Sequence, residues 1–192
     1  MKKLLAIVGL ALCTMTIYAQ EDSKLTVKAG VGLSSITGSE ADTKNVFAYK
    51  AGISYDFGIT ENFYIIPGIE LVAKGCKLDG ITGDINMTYL QIPVFTAYKF
   101  NIFNETKLTI KAGPYLSYGL YGSDIEFFDG TKINAFDSDG GYERFDAGVI
   151  AGFDIEFKKF VIGAEYSRGL KKLDSDFKQY NQAYGITFGY KF

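Results

Sequence analysis

The chain has 192 residues with 20 basic and 22 acidic side chains, so its formal net charge is −2. Hydrophobic residues make up 47% and charged residues 22%, which excludes a disordered chain and is enough for one domain. The balanced charge excludes the basic surface expected of a nucleic-acid-binding protein. There is no His, so no imidazole serves as a general base, metal ligand or pH switch.

Residues 1–19 have the pattern of a secretory signal peptide. Lys2 and Lys3 make the first three residues basic, and Leu4 to Tyr18 form an apolar run. Ala19 is a small residue of the kind that signal-peptide cleavage sites have. The run of about 15 residues is short for a membrane-spanning helix, although an N-terminal anchor is the alternative reading. We expect residues 20–192 to form the mature domain. Its single cysteine, Cys76, then has no intramolecular disulfide partner and is expected to pack in the core.

After this leader, apolar and polar residues alternate with a period of two, which predicts β-strands. In the last segment Tyr184, Phe188 and Phe192 share one face, whereas Gly185 and Lys191 share the other. Eight such segments run over residues 24–34, 47–57, 63–76, 87–100, 106–120, 143–157, 160–169 and 181–192. Most reach the length of about 9–11 residues that a tilted strand needs to cross a bilayer.

The connections between these segments alternate in length. Residues 58–62, 101–105 and 158–159 make short links, whereas residues 35–46, 77–86, 121–142 and 170–180 make long, polar ones. Short turns at one end and long loops at the other are typical of outer-membrane barrels. The sequence therefore predicts an all-β fold, an eight-stranded antiparallel up-and-down transmembrane β-barrel.

The polar face indicates a membrane barrel rather than a soluble one. It is rich in glycine, which suits the crowded interior of a narrow barrel better than a solvent-facing surface. Aromatic residues collect near strand ends, where an interfacial girdle belongs. These are Phe57, Phe63, Tyr98, Phe100, Phe157, Phe160, Tyr190 and Phe192. A lipocalin-like soluble carrier, with the apolar face turned inward, is the alternative.

Charges of both signs fall on the inward face in nearly equal number. They are Lys28, Lys50, Lys74, Lys99, Lys111 and Lys191 against Asp56, Glu70, Asp146, Asp154, Glu156 and Glu165. Because an unpaired buried charge costs several kcal/mol, we expect ion pairs that plug the lumen. Strand order predicts Lys50 with Glu70, and Lys111 with Asp154 or Glu165. An ion path along these charges is the alternative.

Several local patterns together resemble the PorT-type outer-membrane β-barrel (porin-like) family. They are Tyr89–Val94 with Tyr98–Phe100, Lys111–Leu116, Val27–Val31 and Glu165–Leu170. The resemblance covers most of the mature chain. It implies a single small barrel in the outer membrane of a Gram-negative-type bacterium, with outer-membrane lipid as a partner. The final strand resembles the signal read by the barrel-insertion machinery, carried here by Phe188, Tyr190 and Phe192.

The sequence offers little chemistry for catalysis. Membrane-barrel enzymes generally depend on His, and zinc sites need Cys or His clusters, so we expect no enzyme, no cofactor and no metal. Acidic residues in 124–130 and 137–141 lack the spacing of a calcium loop and read as a solvated loop. We expect a structural or surface-interaction role through the long loops, chiefly 121–142, with an unknown partner. The alternatives are a narrow porin-like channel and an accessory role in protein secretion, which the resemblance implies for the namesake branch.

Overall fold

The computed structural model describes residues 25–38, 43–78, 85–103, 105–126, 132–136, 143–171 and 179–192, so the predicted signal peptide lies outside it. Eight long strands dominate: β1 Leu25–Gly38, β2 Val46–Tyr55, β3 Phe63–Leu78, β4 Ile85–Phe103, β5 Thr106–Gly122, β6 Phe145–Phe157, β7 Phe160–Gly169 and β8 Gln179–Lys191. Short strands occupy Thr43–Lys44, Phe57–Gly58, Asp124–Glu126 and Lys132–Asn134. The eight predicted strands are confirmed.

The eight strands close into a barrel in which every neighbouring pair is antiparallel. Each strand pairs with the next one in sequence, and β1 pairs with β8 from Thr26 opposite Lys191 to Gly38 opposite Gln179. Closure gives the backbone of every strand a partner on both sides, which hydrocarbon surroundings require. Within the described ranges, no helix is long and apolar enough to cross a membrane.

The two ends of the barrel differ in their connections. Thr60 to Asn62 and Lys158-Lys159 form tight turns at the end where β1 begins and β8 stops. In outer-membrane barrels such short turns face the periplasm and the long loops face outward, so we call these the periplasmic and external ends. β4 and β5 extend further than the sequence predicted, to Phe103 and Gly122. The Phe103 end of β4 lengthens the β4–β5 hairpin at the periplasmic end, whereas Gly122 lies at the external end.

The outer surface is apolar and the lumen is polar, as predicted. Tyr184, Phe188 and Phe192 are 43%, 55% and 63% exposed, whereas Thr187 and Lys191, which alternate with them, are 2% and 6% exposed. The thirteen residues of β6, at about 3.3 Å each and tilted by about 40°, span roughly 30 Å. This height matches the hydrocarbon core of a bilayer. The inverted polarity excludes a soluble carrier with an apolar lumen.

Aromatic residues form a girdle at each end of the apolar surface. At the periplasmic end the rings of Tyr98 and Phe100 lie 4.7 Å apart, and those of Tyr190 and Phe192 lie 5.0 Å apart. A second girdle surrounds the external end and was missed from sequence. Its exposed members are Phe47, Tyr49, Tyr118, Tyr121, Phe145, Tyr166 and Tyr184. They are spread over five strands and become neighbours only when the barrel closes.

The lumen contains more large apolar residues than the sequence pattern suggested. Tyr64, Phe95 and Tyr115 are among those buried inside. Small residues on neighbouring strands leave room for them: a Cβ on Gly148 of β6, which is paired with Tyr115 of β5, would lie 2.7 Å from the Tyr115 ring. Strands β3 to β5 therefore carry bulky side chains on both faces. Large and glycine positions therefore complement each other between neighbouring strands.

Gly113 provides a test of this close packing. A Cβ at Gly113 would lie 1.9 Å from the Val94 carbonyl oxygen, whereas at Gly58 the nearest atom is a Tyr64 ring carbon at 3.5 Å. We expect Gly113→Ala to lower the free energy of unfolding by about 1–3 kcal/mol, because backbone must shift to admit the methyl group. Gly58→Ala is the matched control and should leave stability nearly unchanged. Urea unfolding of the refolded protein in micelles measures both, and equal midpoints would contradict the packing argument.

Candidate functional site: the charged lumen

The structure places all twelve inward charges predicted from sequence inside the barrel, buried or half-buried. They divide into three groups, and each group contains as many lysines as carboxylates. The groups are Lys28, Lys50, Lys111, Glu70, Asp154 and Glu165; then Lys99, Lys191, Asp56 and Glu156; then Lys74 and Asp146. The lumen is therefore locally neutral at each depth.

The central group is a continuous chain of alternating charge. Lys111 Nζ lies 2.9 Å from Asp154 and 2.5 Å from Glu165, and Lys28 Nζ lies 2.6 Å from Asp154. Lys50 contacts Glu165 and lies 3.1 Å from Glu70. The six residues come from six strands, all except β4 and β8. Both pairings derived from strand order are present, and the Lys28–Asp154 pair joins strands that are not neighbours.

The second group, which we call the floor ring, lies toward the periplasmic end. Lys99 Nζ is 2.6 Å from Asp56 and 3.1 Å from Glu156, while Lys191 Nζ is 2.7 Å and 2.6 Å from the same two carboxylates. Each charge thus has two partners of opposite sign. Thr109 donates a further hydrogen bond of 3.1 Å to Glu156. This closed arrangement holds the ends of β4 and β8 to Asp56 and β6.

The third group lies toward the external end and depends on neutral partners. Lys74 Nζ donates to Gln91 at 2.9 Å, lies 3.7 Å from Asp146, and sits 4.4 Å from the centre of the Tyr115 ring. Asp146 Oδ2 also accepts hydrogen bonds of 3.0 Å from Tyr115 and Asn181. A cation over an aromatic face is favourable where water is absent. These aromatic and amide partners could not be predicted from local sequence, because they come from different strands.

An aromatic plug closes the lumen above this group. Phe136, in the long connection between β5 and β6, packs edge-on against Tyr89 with centroids 5.7 Å apart. A Cβ on Gly119 would lie 2.4 Å from the Phe136 ring, so the ring needs a glycine there. Asn134 fixes the segment by donating a 2.7 Å bond to the Gly122 carbonyl. Ala135 and Phe136 join an apolar cluster with Ile36, Cys76, Ile85, Met87 and Tyr89.

This plug was missed from sequence, where residues 121–142 were expected to form a solvated, partner-binding loop. The apolar pair Ala135-Phe136 was an available signal, but Phe127-Phe128 in the same connection offered an equal one. Of the acidic stretches 124–130 and 137–141, residues 127–130 and 137–141 lie outside the described residues. Cys76 is fully buried in the apolar cluster, as a packing residue would be.

The cavities reflect this arrangement. A cavity of about 820 Å³ opens at the periplasmic end, below the floor ring. Two cavities deeper among the lumen side chains measure only about 50 and 10 Å³. The described part of the lumen is therefore filled by side chains between the plug and the floor ring. Phe188, Tyr190 and Phe192 of the predicted insertion signal point outward on β8 and its end; that the insertion machinery reads them remains a prediction.

Residues 18–175 match the family described as outer membrane protein beta-barrel domain. The chain belongs to this family. A Gram-negative-type outer membrane is thus its location, with lipid around the barrel. The comparison with curated proteins gave no match. The match identifies an outer-membrane barrel and does not distinguish the PorT-type branch within it.

Several solved structures of small outer-membrane barrels are similar to the chain. Neisserial surface protein A is 13% identical, with a TM-score of 0.53, over 90% of this chain and 100% of that one. The outer membrane enzyme PagL is 13% identical, with a TM-score of 0.55, over 86% and 98%. Ail, the attachment invasion locus protein of Yersinia pestis, is 17% identical, with a TM-score of 0.47, over 88% and 99%. At these identities the likeness to Neisserial surface protein A and to PagL shows a shared fold.

Lys111 tests the energetic role of the central group. Lys111→Met leaves the buried carboxylates of Asp154 and Glu165 with one lysine fewer, so we expect a loss of about 3–5 kcal/mol in unfolding free energy. Lys158→Met is the matched control, since the Lys158–Glu105 pair is more than half exposed and such pairs contribute about 1 kcal/mol or less. Adding Asp154→Asn to Lys111→Met restores neutrality and should recover part of the loss. Urea unfolding measures all three; a Lys111 variant as stable as the control would refute this role.

Proposed function

We propose that this protein is a plugged, non-catalytic outer-membrane barrel with a structural and surface-interaction role. The observation that carries the proposal is the neutral pairing of every described lumen charge, which fills the barrel and braces its strands against one another. Because the ion pairs brace the strands, the barrel is a rigid scaffold for the long connections at its external end. Partner contact then falls to the long connections at the external end, chiefly that between β5 and β6.

The pairing argues against the alternative of a narrow channel. A permeant ion would have to displace a lysine or a carboxylate from partners at 2.6–3.1 Å, and both cavities along this path are smaller than a small solute needs. Breaking a buried pair without a replacement is strongly unfavourable. Conducting filters instead line a continuous water-filled path with sites that bind weakly.

The absence of a catalytic role is also our proposal. The chain has no His to activate a nucleophile or a water molecule. The ionisable lumen residues are engaged with one another, which leaves none of them poised for a substrate. The likeness to the enzyme PagL concerns the fold and does not bring its activity with it.

We also propose that the chain falls in the PorT-type branch of its family. The motifs that support this lie at the expected places, with Tyr89–Val94 on β4 and Lys111–Leu116 on β5. Gln91 and Lys111 of these motifs contribute to the lumen network. No feature of the described residues supports the secretion role of the namesake branch.

Conductance distinguishes a plugged barrel from a channel. In planar lipid bilayers we expect no channel steps from the native protein, because side chains fill the lumen at three depths. Phe136→Ala should be silent too, because the central group still closes the barrel beneath it. Heat-modifiable gel mobility of each preparation serves as the folding control. Resolved and reproducible steps from the native protein would favour the narrow channel and overturn this proposal.

Surface display can be tested with epitope tags. A tag inserted within residues 127–131 should be recognised by antibody on intact cells, because this connection lies at the external end. A tag inserted between Thr60 and Glu61, both exposed in the β2–β3 turn, is the matched control and should be recognised only after permeabilisation. The opposite accessibility of the two tags would reverse the orientation and refute a surface role for the long connections.

A further inference from the structure

The large cavity at the periplasmic end is the one part of the described lumen with room for a ligand. Its floor is the floor ring, and its walls are the β4–β5 hairpin and the Lys158-Lys159 turn. Its volume of about 820 Å³ falls within the range of about 300–1,000 Å³ that ligand pockets occupy. We call it the periplasmic cup. Because Phe136 seals the other end, a ligand reaches this space from the periplasm.

The charge of the cup is concentrated on its rim. The floor ring is neutral, but the rim carries Lys107, Lys158 and Lys159 against Glu105. Lys158 lies 3.3 Å from Glu105, while neither Lys107 nor Lys159 has a carboxylate within salt-bridge distance among the described residues. The rim is therefore basic in an otherwise balanced protein. Such a surface attracts and orients an anionic partner.

In the Lys158-Lys159 turn, Lys158 has a backbone conformation that disfavours lysine. Lys158 has φ of +54°, and it is the one described residue other than glycine with positive φ. A two-residue hairpin of this kind prefers Asn or Gly, because a Cβ strains the left-handed conformation. The turn requires the positive φ, so the unusual feature is that lysine occupies this position in place of Asn or Gly. Here the lysine stands on the rim of the cup.

An apolar wall complements the basic rim. Phe103 and Ile102 line the cup on the β4–β5 hairpin, and Phe103 is 75% exposed, the highest value among the exposed large hydrophobic residues. A free anion such as phosphate has no apolar group that could pack against this surface. A peptide that carries both carboxylates and apolar side chains matches the rim and the wall together.

We propose that the periplasmic cup binds an acidic, partly apolar peptide segment of a periplasmic partner protein. Lys107, Lys158 and Lys159 pair with its carboxylates, and Phe103 packs against an apolar side chain. This site lies at the opposite end from the external connections. A test of peptide binding at the cup is therefore independent of a test of the surface role.

Binding of a defined peptide tests the proposal. The full-length protein in phosphatidylcholine nanodiscs is titrated into a fluorescein-labelled octapeptide of alternating Glu and Leu, and into the same peptide with Gln in place of Glu. We expect fluorescence polarisation to show at least about tenfold tighter binding of the acidic peptide, with the difference shrinking at high salt. Equal affinity for the two peptides would overturn the proposal.

Variants locate the site. Lys158→Gln with Lys159→Gln should weaken binding of the acidic peptide by about tenfold or more, whereas the matched control Lys171→Gln, on the external end, should not. If the double variant lacks heat-modifiable mobility, the single changes Lys107→Gln and Lys159→Gln carry the same test. Lys158→Asn should raise the urea midpoint, by relieving the strained turn, while it lowers affinity. An equal loss in Lys171→Gln would contradict the proposed site.

Two competitors separate the peptide from other anions. Inorganic phosphate at the peptide's own concentration should leave the complex intact, because it does not use the apolar wall. Nanodiscs containing phosphatidylglycerol should also retain binding. Displacement by phosphate would reduce the cup to a simple anion site, and loss of binding in the anionic nanodiscs would assign the lysines to lipid headgroups. Either result would overturn the peptide assignment.

Discussion

Hydrocarbon around the barrel offers no hydrogen-bond partner to a backbone group and no solvation to a charge, and this constraint decides the rest of the structure. Every strand must pair on both sides, so β1 returns to β8 and the sheet closes. Bulky apolar side chains face the lipid, and polar ones face a lumen too narrow for bulk water. The lumen must then satisfy its own charges, which makes pairing a condition of folding rather than an added feature.

The lumen meets this condition in three neutral layers, of which two are networks of shared charges and the third is the Lys74–Asp146 pair with neutral partners. In the central group several charged side chains have two partners of opposite sign. Lys111 binds two carboxylates, and Asp154 binds two lysines. Sharing compensates the desolvation of each group more fully than a single partner does. It also ties strands that are not neighbours in the sheet, as Lys28 and Asp154 do. The same interactions that make burial tolerable therefore make the barrel stiff and closed.

The two ends of the barrel serve different purposes as a result. At the external end Phe136 packs against Gly119 and Gly122. It belongs to an apolar cluster that covers the charged groups of the lumen. At the periplasmic end the floor ring stops short of the strand ends, and the β4–β5 hairpin extends beyond it as a wall. One end thus offers connections above a sealed surface, and the other offers a basic cup.

The sequence by itself determined the eight strands, their outward faces and the set of inward charges. Each of these follows from local alternation with a period of two, as between Phe188 and Lys191, which needs no knowledge of distant residues. It also predicted the Lys50–Glu70 pair, since adjacent antiparallel strands bring those positions together. Only the tertiary structure decided the Lys28–Asp154 pair, the Tyr115 contact with Lys74 and the Phe136 plug. These contacts cross the lumen, and their geometry depends on the stagger of all eight strands at closure, which no local pattern encodes.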